Sequence, residues 1–253
     1  MSIKQFIAQK LAGSRYYPAV RSLYRRLKLV DEQRLAEVNF YRTIIRPGDL
    51  VFDVGANVGF KSEVFLECGA SVVALEPNPN CHPIIEYDHV NNKAFQLVKK
   101  GVGSEEGTLL LNVEGTSPTS SFRNDWKYAG LGYAGGAEAK RVEVLVTTLD
   151  QLIAEHGVPS YIKIDVEGFE LEVLKGLSRS IPLLSFEFGI IESGDKLLKQ
   201  CLDQLATLGS FSVNAIRNST EGGFLWSTFV PYAHLDIAKL PSGGDLFVRF
   251  DHA

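Results

Sequence analysis

The segment VFDVGANVGF, residues 51–60, runs an apolar strand into a glycine-rich turn that opens a helix. Such a turn brings bare backbone to the carboxyl end of a strand, where a nucleoside cofactor is held. Glu76 closes the next apolar run, 21 residues after Gly55, and an acid there can accept hydrogen bonds from both hydroxyls of a ribose. A second group of acids follows later. Asp165 and Glu167 stand in KIDVEG at the end of one apolar run, and Glu187 lies at the end of the next. Carboxylates in such a place have two chemistries open to them. They can take the proton of an attacking hydroxyl, or hold a divalent cation that makes the hydroxyl more acidic. A structural use is also open to Glu167 and Glu170, as helix N-terminal contacts or ion-pair partners of Lys163. No compact His/Asp/Glu ligand set is visible in the sequence, so no metal ligands are assigned.

The glycine turn narrows the choice of nucleoside. A dinucleotide fingerprint needs a second glycine so that backbone can approach a pyrophosphate. Here that position is Asn57, and the last position is Phe60. The turn therefore suits a ligand without phosphate, such as S-adenosylmethionine, whose amine needs an acceptor that Asp53 can help to supply. Nothing matches G-x-x-x-x-G-K-[ST], which excludes a P-loop nucleotidase.

At these residues the chain resembles the FkbM family of S-adenosylmethionine-dependent methyltransferases, part of the class I Rossmann-like group. The matching pieces are DVGANVGFKS (53–62), LEPNP (75–79), GVGSEEG (101–107), TTLDQL (147–152), YIKIDVEGFELEVLKG (161–176) and FEF (186–188), with DLFVRF (245–250) at the C-terminal end. The resemblance implies O-methylation of a hydroxyl on a sugar, glycolipid or polyketide-like acceptor. It also implies that Gly55, Asn57 and Gly59 form the cofactor turn, with Asp53 beside the methionine portion. Glu76 would hold the ribose, with Pro77 and Asn78 shaping the adenine side and Val102, Gly103 and Ser104 flanking the base. Ser62 would touch the cofactor carboxylate or simply pack. Asp165, Glu167 and Glu187 are the catalytic candidates. Two readings compete with an enzyme of this kind: a non-catalytic S-adenosylmethionine-binding or scaffold protein, and a nicotinamide-dependent oxidoreductase. The intact KIDVEG block opposes the first, and Asn57 with the lack of a Tyr-x-x-x-Lys pair opposes the second.

The elements that must position these residues are short apolar runs alternating with helical patterns. Strands are expected at 50–54, 72–76, 95–98, 161–165 and 183–188, with helices from Asn57 to Gly69, from a Thr148/Gln151 capping box to Gly157, and through Leu197–Leu208. The pattern predicts an α/β, doubly wound, mostly parallel seven-stranded Rossmann-like sheet. Residues 108–113 and 141–146 alternate like an inserted antiparallel β-hairpin, joined by a long loop holding Phe122, Trp126, Tyr128 and Tyr133. A second aromatic segment, 217–244, carries Phe224, Trp226, Phe229, Tyr232 and His234. Each segment either faces substrate or covers a sheet edge. His234 is the one histidine placed to act as a base on an acceptor.

Charge divides the 253 residues unevenly. Residues 1–30 carry seven bases and no acid, whereas the rest carry 19 bases and 30 acids, a net −11. An acidic body argues against nucleic acid as partner. The expected division is a basic helical arm over residues 1–45 and the methyltransferase domain over 46–253. The arm can pack on its own domain or rest on an anionic membrane. Three scattered cysteines and no long apolar run fit a cytoplasmic protein, with the inner membrane face as the open alternative.

Overall fold

The computed structural model describes residues 32–113, 122, 140–189, 194–217 and 223–251. The basic stretch 1–30 and Trp126, Tyr128 and Tyr133 lie outside the described residues. The first described helix, α1 (Glu32–Tyr41), precedes β1 (Leu50–Val54), α2 (Phe60–Glu67), β2 (Ser71–Leu75), α3 (His82–Asp88) and β3 (Phe95–Val98). Then come β4 (Gly101–Val102), β5 (Gly107–Val113), β6 (Lys140–Thr147), α4 (Leu149–His156), β7 (Tyr161–Ile164) and α5 (Glu170–Lys175). The chain continues through β8 (Leu183–Gly189), α6 (Gly194–Ala206), β9 (Phe211–Ile216), β10 (Val230–Pro231) and β11 (Gly243–Phe250).

The main sheet has the order β10-β9-β11-β8-β7-β1-β2-β3. Strands β3, β2, β1, β7 and β8 pair in parallel, and β11 inserts antiparallel between β8 and β9. This is the expected Rossmann-like sheet, with the two-residue β10 added at its edge. The expected hairpin is also present, but as part of a separate three-stranded sheet, β4-β6-β5.

The strands of the main sheet are apolar on both sides because each side is covered. Alternate residues point to opposite faces. Phe52, Val54, Ile162, Ile164 and Phe186 pack under α4, α5 and α6. Val51, Tyr161 and Phe247 pack under Val38, Phe40 and Tyr41 of α1 and Val64 and Phe65 of α2. The part of the expected arm that is described thus packs on the sheet. Arg34 ties α1 to α2 through Glu63 at 3.1 Å and Glu67 at 2.6 Å. The Thr148 cap forms as read, accepting the Gln151 N–H at 3.1 Å.

The second aromatic segment covers the sheet edge. Phe224 packs edge-on against Phe40 and Phe247, with ring centroids 5.2 Å away in both cases. Tyr232 stacks on Phe211 at the amino end of β9. His234 follows Tyr232 in a short 3-10 turn and is exposed there. It sits at the opposite end of the sheet from the strand tips that carry Asp165 and Glu187. Among the described residues, no helix is long and apolar enough to cross a membrane.

Candidate active site

Four elements build the first half of the site. Strand β1 carries Asp53 just before its last residue, and its exit turn uses three left-handed residues: Gly55 (φ 83°), Asn57 (φ 51°) and Gly59 (φ 82°). Glycine is required at 55, because a Cβ there would lie 1.8 Å from the carbonyl oxygen of Asp165. Asn57 tolerates the left-handed region better than most side chains. Its N–H donates to Glu76 Oε2 at 2.7 Å, and the Asn78 N–H donates to Glu76 Oε1 at 2.7 Å. Glu76 therefore ties the glycine turn to the loop after β2, with one lone pair on each oxygen left for a ligand. Burial pushes its carboxyl up to about 7 against the pull of those two N–H groups.

The neighbouring residues fall into place around this bridge. His82 donates from Nε2 to the Glu76 carbonyl at 2.8 Å. Asn78 is buried and its Oδ1 accepts from the Asn80 N–H at 2.9 Å, while Pro77 is half-buried. Val102 is buried, the Gly103 N–H donates to the Thr147 carbonyl at 2.9 Å, and Ser104 is exposed. Ser62 is fully buried and donates to Asp53 Oδ2 at 2.6 Å. The other oxygen of that carboxylate, Oδ1, is buried with no hydrogen-bond partner.

The second half of the site is a cluster of acids at the carboxyl ends of β7 and β8. Carboxylate oxygens of Asp165, Glu167 and Glu187 lie within 4.8 Å of one another. Glu187 is remote in sequence from Asp165 and Glu167, yet the parallel pairing of β7 with β8 sets the strand tips side by side. Glu167 reaches the cluster from a left-handed backbone (φ 55°), a strained conformation for a residue with a Cβ. Lys163 is buried at 2% exposure and donates to Asp165 Oδ2 at 2.7 Å. Burial works to raise the Asp165 carboxyl, but the Lys163 charge outweighs it and holds the group below the ordinary value. The remaining proton is shared out accordingly. Burial, then Asp165, pushes Glu167 up to about 7 and Glu187 up to about 8. A side-chain hydrogen bond links Glu187 to Asp165 and helps to hold the Asp165 carboxyl down.

Two assignments change relative to the sequence. Lys163 pairs with Asp165 rather than with Glu167 or Glu170. Glu170 is the purely structural acid, accepting the Gly168 N–H at 3.0 Å and the Val166 N–H at 3.3 Å ahead of α5. Asp245 was not singled out at all. Strand β11 places it opposite Glu187, where burial raises its carboxyl and Lys163 and Lys61 oppose the rise. A lysine inside an apolar strand is a readable signal, since such residues are almost never buried unpaired. Asp245 gives no such signal, because only the sheet order brings it near. The three-acid spacing would also admit a divalent cation.

Residues 53–209 match the family described as "Methyltransferase FkbM domain". The chain is 31% identical over 159 residues to "31-O-demethyl-FK506 methyltransferase FkbM" of Streptomyces tacrolimicus, covering 53% of this chain and 61% of that protein. It is 28% identical over 151 residues to "Hexuronic acid methyltransferase AglP" of Haloferax volcanii, covering 58% of this chain and 57% of that one. It is 30% identical over 155 residues to "Methyltransferase sdnD" of Sordaria araneosa, covering 50% and 60%. The chain thus matches about three-fifths of the length of these curated relatives.

Proposed function

The chain belongs to the FkbM methyltransferase family, and from that premise we propose that it transfers a methyl group from S-adenosylmethionine to a hydroxyl of a sugar, glycolipid or similar small acceptor. The residues of the turn fit such a cofactor. Asp53 Oδ1 is a buried carboxylate oxygen with no partner, a costly state that a donor such as an amino-acid ammonium would relieve. Glu76 has the free lone pairs that two ribose hydroxyls need. Gly55, Asn57 and Gly59 would hold the amino-acid side, with Ser62 acting through Asp53. Pro77, Asn78, Val102, Gly103 and Ser104 would border the base. The cofactor supplies an electrophilic methyl carbon on a positively charged sulfur.

The convergence of Asp165, Glu167 and Glu187 within 4.8 Å carries the reaction type. Asp165, kept ionised by Lys163, accepts a hydrogen bond from the acceptor hydroxyl and orients it. Burial and Asp165 push the Glu167 carboxyl up to about 7, which makes it a better proton acceptor than an ordinary carboxylate, and it takes the hydroxyl proton as the oxygen attacks. Glu187 holds Asp165 in place from the far side. The names of the relatives, one for an O-demethyl acceptor and one for a hexuronic acid, support a hydroxyl on a small glycan or polyketide-like acceptor.

Calorimetry with S-adenosylhomocysteine tests the cofactor, with micromolar binding expected and no binding at high micromolar concentration refuting it. Mass spectrometry of small glycans and lipids incubated with labelled cofactor then finds the acceptor. With that acceptor, Glu167→Gln is expected to lower kcat by about 10²-fold or more and leave S-adenosylhomocysteine affinity near wild type. Full turnover in that variant would remove Glu167 as the base.

A further inference from the structure

Strand β11 carries charge at both of its ends on one face. Asp245, Phe247 and Arg249 alternate toward α1, and Asp245 belongs to the carboxylate end described above. Arg249 stands four residues on, about 13 Å away at strand spacing. Phe247 fills the gap between them, packed edge-on against Phe40 at 5.7 Å and Phe224 at 5.2 Å. That aromatic wall closes off the amino end of the sheet from the acid cluster.

Beyond the wall lies a cleft of about 700 Å³, within the usual range for small-molecule sites. One side is a single stripe of α1 and the turn after it: Ala36, Asn39, Phe40 and Thr43 recur at i, i+3, i+4 and i+7. The other side is the loop bearing Phe224, Ser227, Thr228 and Phe229. Asn214, 1% exposed, is wholly committed to fixing that loop. Its Nδ2 donates to the carbonyls of Trp226 at 2.8 Å and Thr228 at 3.4 Å, and its Oδ1 accepts the N–H of Trp226 at 3.1 Å and of Ala215 at 2.9 Å. The wall is therefore built before any ligand arrives.

Arg249 lines this cleft and lies 4.3 Å over the ring of Phe229. Among the described residues it has no carboxylate partner. Stacking occupies one face of the guanidinium and restrains it, while its N–H edges stay available to an anion. Phe40, Phe224 and Phe229 offer apolar surface beside that charge, and Ala36 leaves room over it. We propose that this cleft is a second small-molecule site, separate from the acid cluster, for an amphipathic anion. Its carboxylate, sulfonate or phosphate head pairs with Arg249, and its apolar body lies against the three phenylalanines. The proposal does not depend on methyl transfer.

The probe is 8-anilinonaphthalene-1-sulfonate, which joins aromatic rings to one anionic head. Fluorescence and calorimetric titration of the full chain are expected to show one equivalent per chain with a dissociation constant of about 10–100 µM. Arg249→Gln removes the charge, and Ala36→Leu fills the cleft with a good helix former. Each is expected to weaken dye binding about tenfold or more, with S-adenosylhomocysteine binding and melting temperature unchanged as the measure of folding. Decanoate should displace the dye, and neutral decanol at equal concentration should not. Non-saturating binding, wild-type affinity in both variants, or equal displacement by decanol would each overturn the proposal.

Discussion

Lys163→Met removes one charge and keeps most of the length of the stem, so it isolates the electrostatic role of the buried lysine. The ammonium is 2.7 Å from Asp165 Oδ2 and also faces the charges of Asp53 and Asp245. Breaking a buried pair by removing one partner typically costs about 3–5 kcal/mol, against a total stability of about 5–15 kcal/mol for a domain. Burial alone would lower the lysine, yet the three carboxylates raise it above its ordinary 10.5. The stabilisation it gives is therefore complete below that value and constant between pH 5 and 8. The variant behaves otherwise. Without Lys163, burial raises the Asp165 carboxyl instead of the lysine holding it down. A raised carboxyl stabilises below its ordinary value, and that contribution is lost as pH climbs through the folded value. The deficit of the variant should be small near pH 4 and approach the full 3–5 kcal/mol near pH 8. Urea unfolding at pH 5 and pH 8, read by fluorescence and circular dichroism, measures it directly. An equal loss at both pH values, or a loss under about 1 kcal/mol at pH 8, would refute the idea that Lys163 neutralises this cluster.

Two further substitutions probe the cofactor half of the site. Gly55→Ala would place a Cβ 1.8 Å from the Asp165 carbonyl at a φ of 83°, forcing β1 and β7 apart. It should cost more than about 3 kcal/mol and abolish S-adenosylhomocysteine binding, and thermal unfolding with calorimetry would show if instead the strands yield. Glu76→Gln leaves one acceptor oxygen for two backbone N–H groups, so affinity for S-adenosylhomocysteine should fall about tenfold or more. The wild-type carboxyl sits near 7 rather than 4.5, so its share of stability is full below 4.5 and lost as pH rises through 7, by up to about 3 kcal/mol. The melting temperature of the ligand-free wild type should therefore fall more steeply from pH 5 to 8 than that of Glu76→Gln, and parallel curves would contradict the assignment.

What could be read from the sequence follows the reach of each cause. Gly55, Gly59 and the Thr148 cap are dictated by backbone within a few residues, and each has the conformation its pattern predicts. Strands 50–54, 95–98 and 161–165 are short runs in which apolar residues dominate, and they appear within a residue of their expected ends. Strand β9 was missed. Its sequence FSVNAI follows a helix stop directly, and Asn214 in its middle answers to Trp226 and Thr228, 12 and 14 residues on. The separate sheet β4-β6-β5 depends on a two-residue strand too short to carry a period. Asp165, Glu167 and Glu187 are legible as candidates because each stands near a strand's carboxyl end, but their approach within 4.8 Å is not, because Glu187 follows Glu167 by a helix and most of a strand. Asp245 is not legible either, since it meets Glu187 only because β11 inserts between β8 and β9.

That insertion gives the acidic character of the chain a location. Asp53, Asp165 and Asp245 gather around one buried lysine, Glu187 adjoins Asp165 with its carboxyl pushed up to about 8, and those of Glu76 and Glu167 are pushed up to about 7. A fully ionised cluster of this size would oppose folding, and burial pushes up the carboxyls of Glu76, Glu167 and Glu187, which take up a proton more readily than ordinary acids. On the proposed function this has a directional effect. A ligand bearing positive charge lowers those values and meets ionised carboxylates, whereas the neutral thioether left after methyl transfer does not. The same acids would then favour substrate over product, with Lys163 holding the Asp165 carboxyl below its ordinary value throughout.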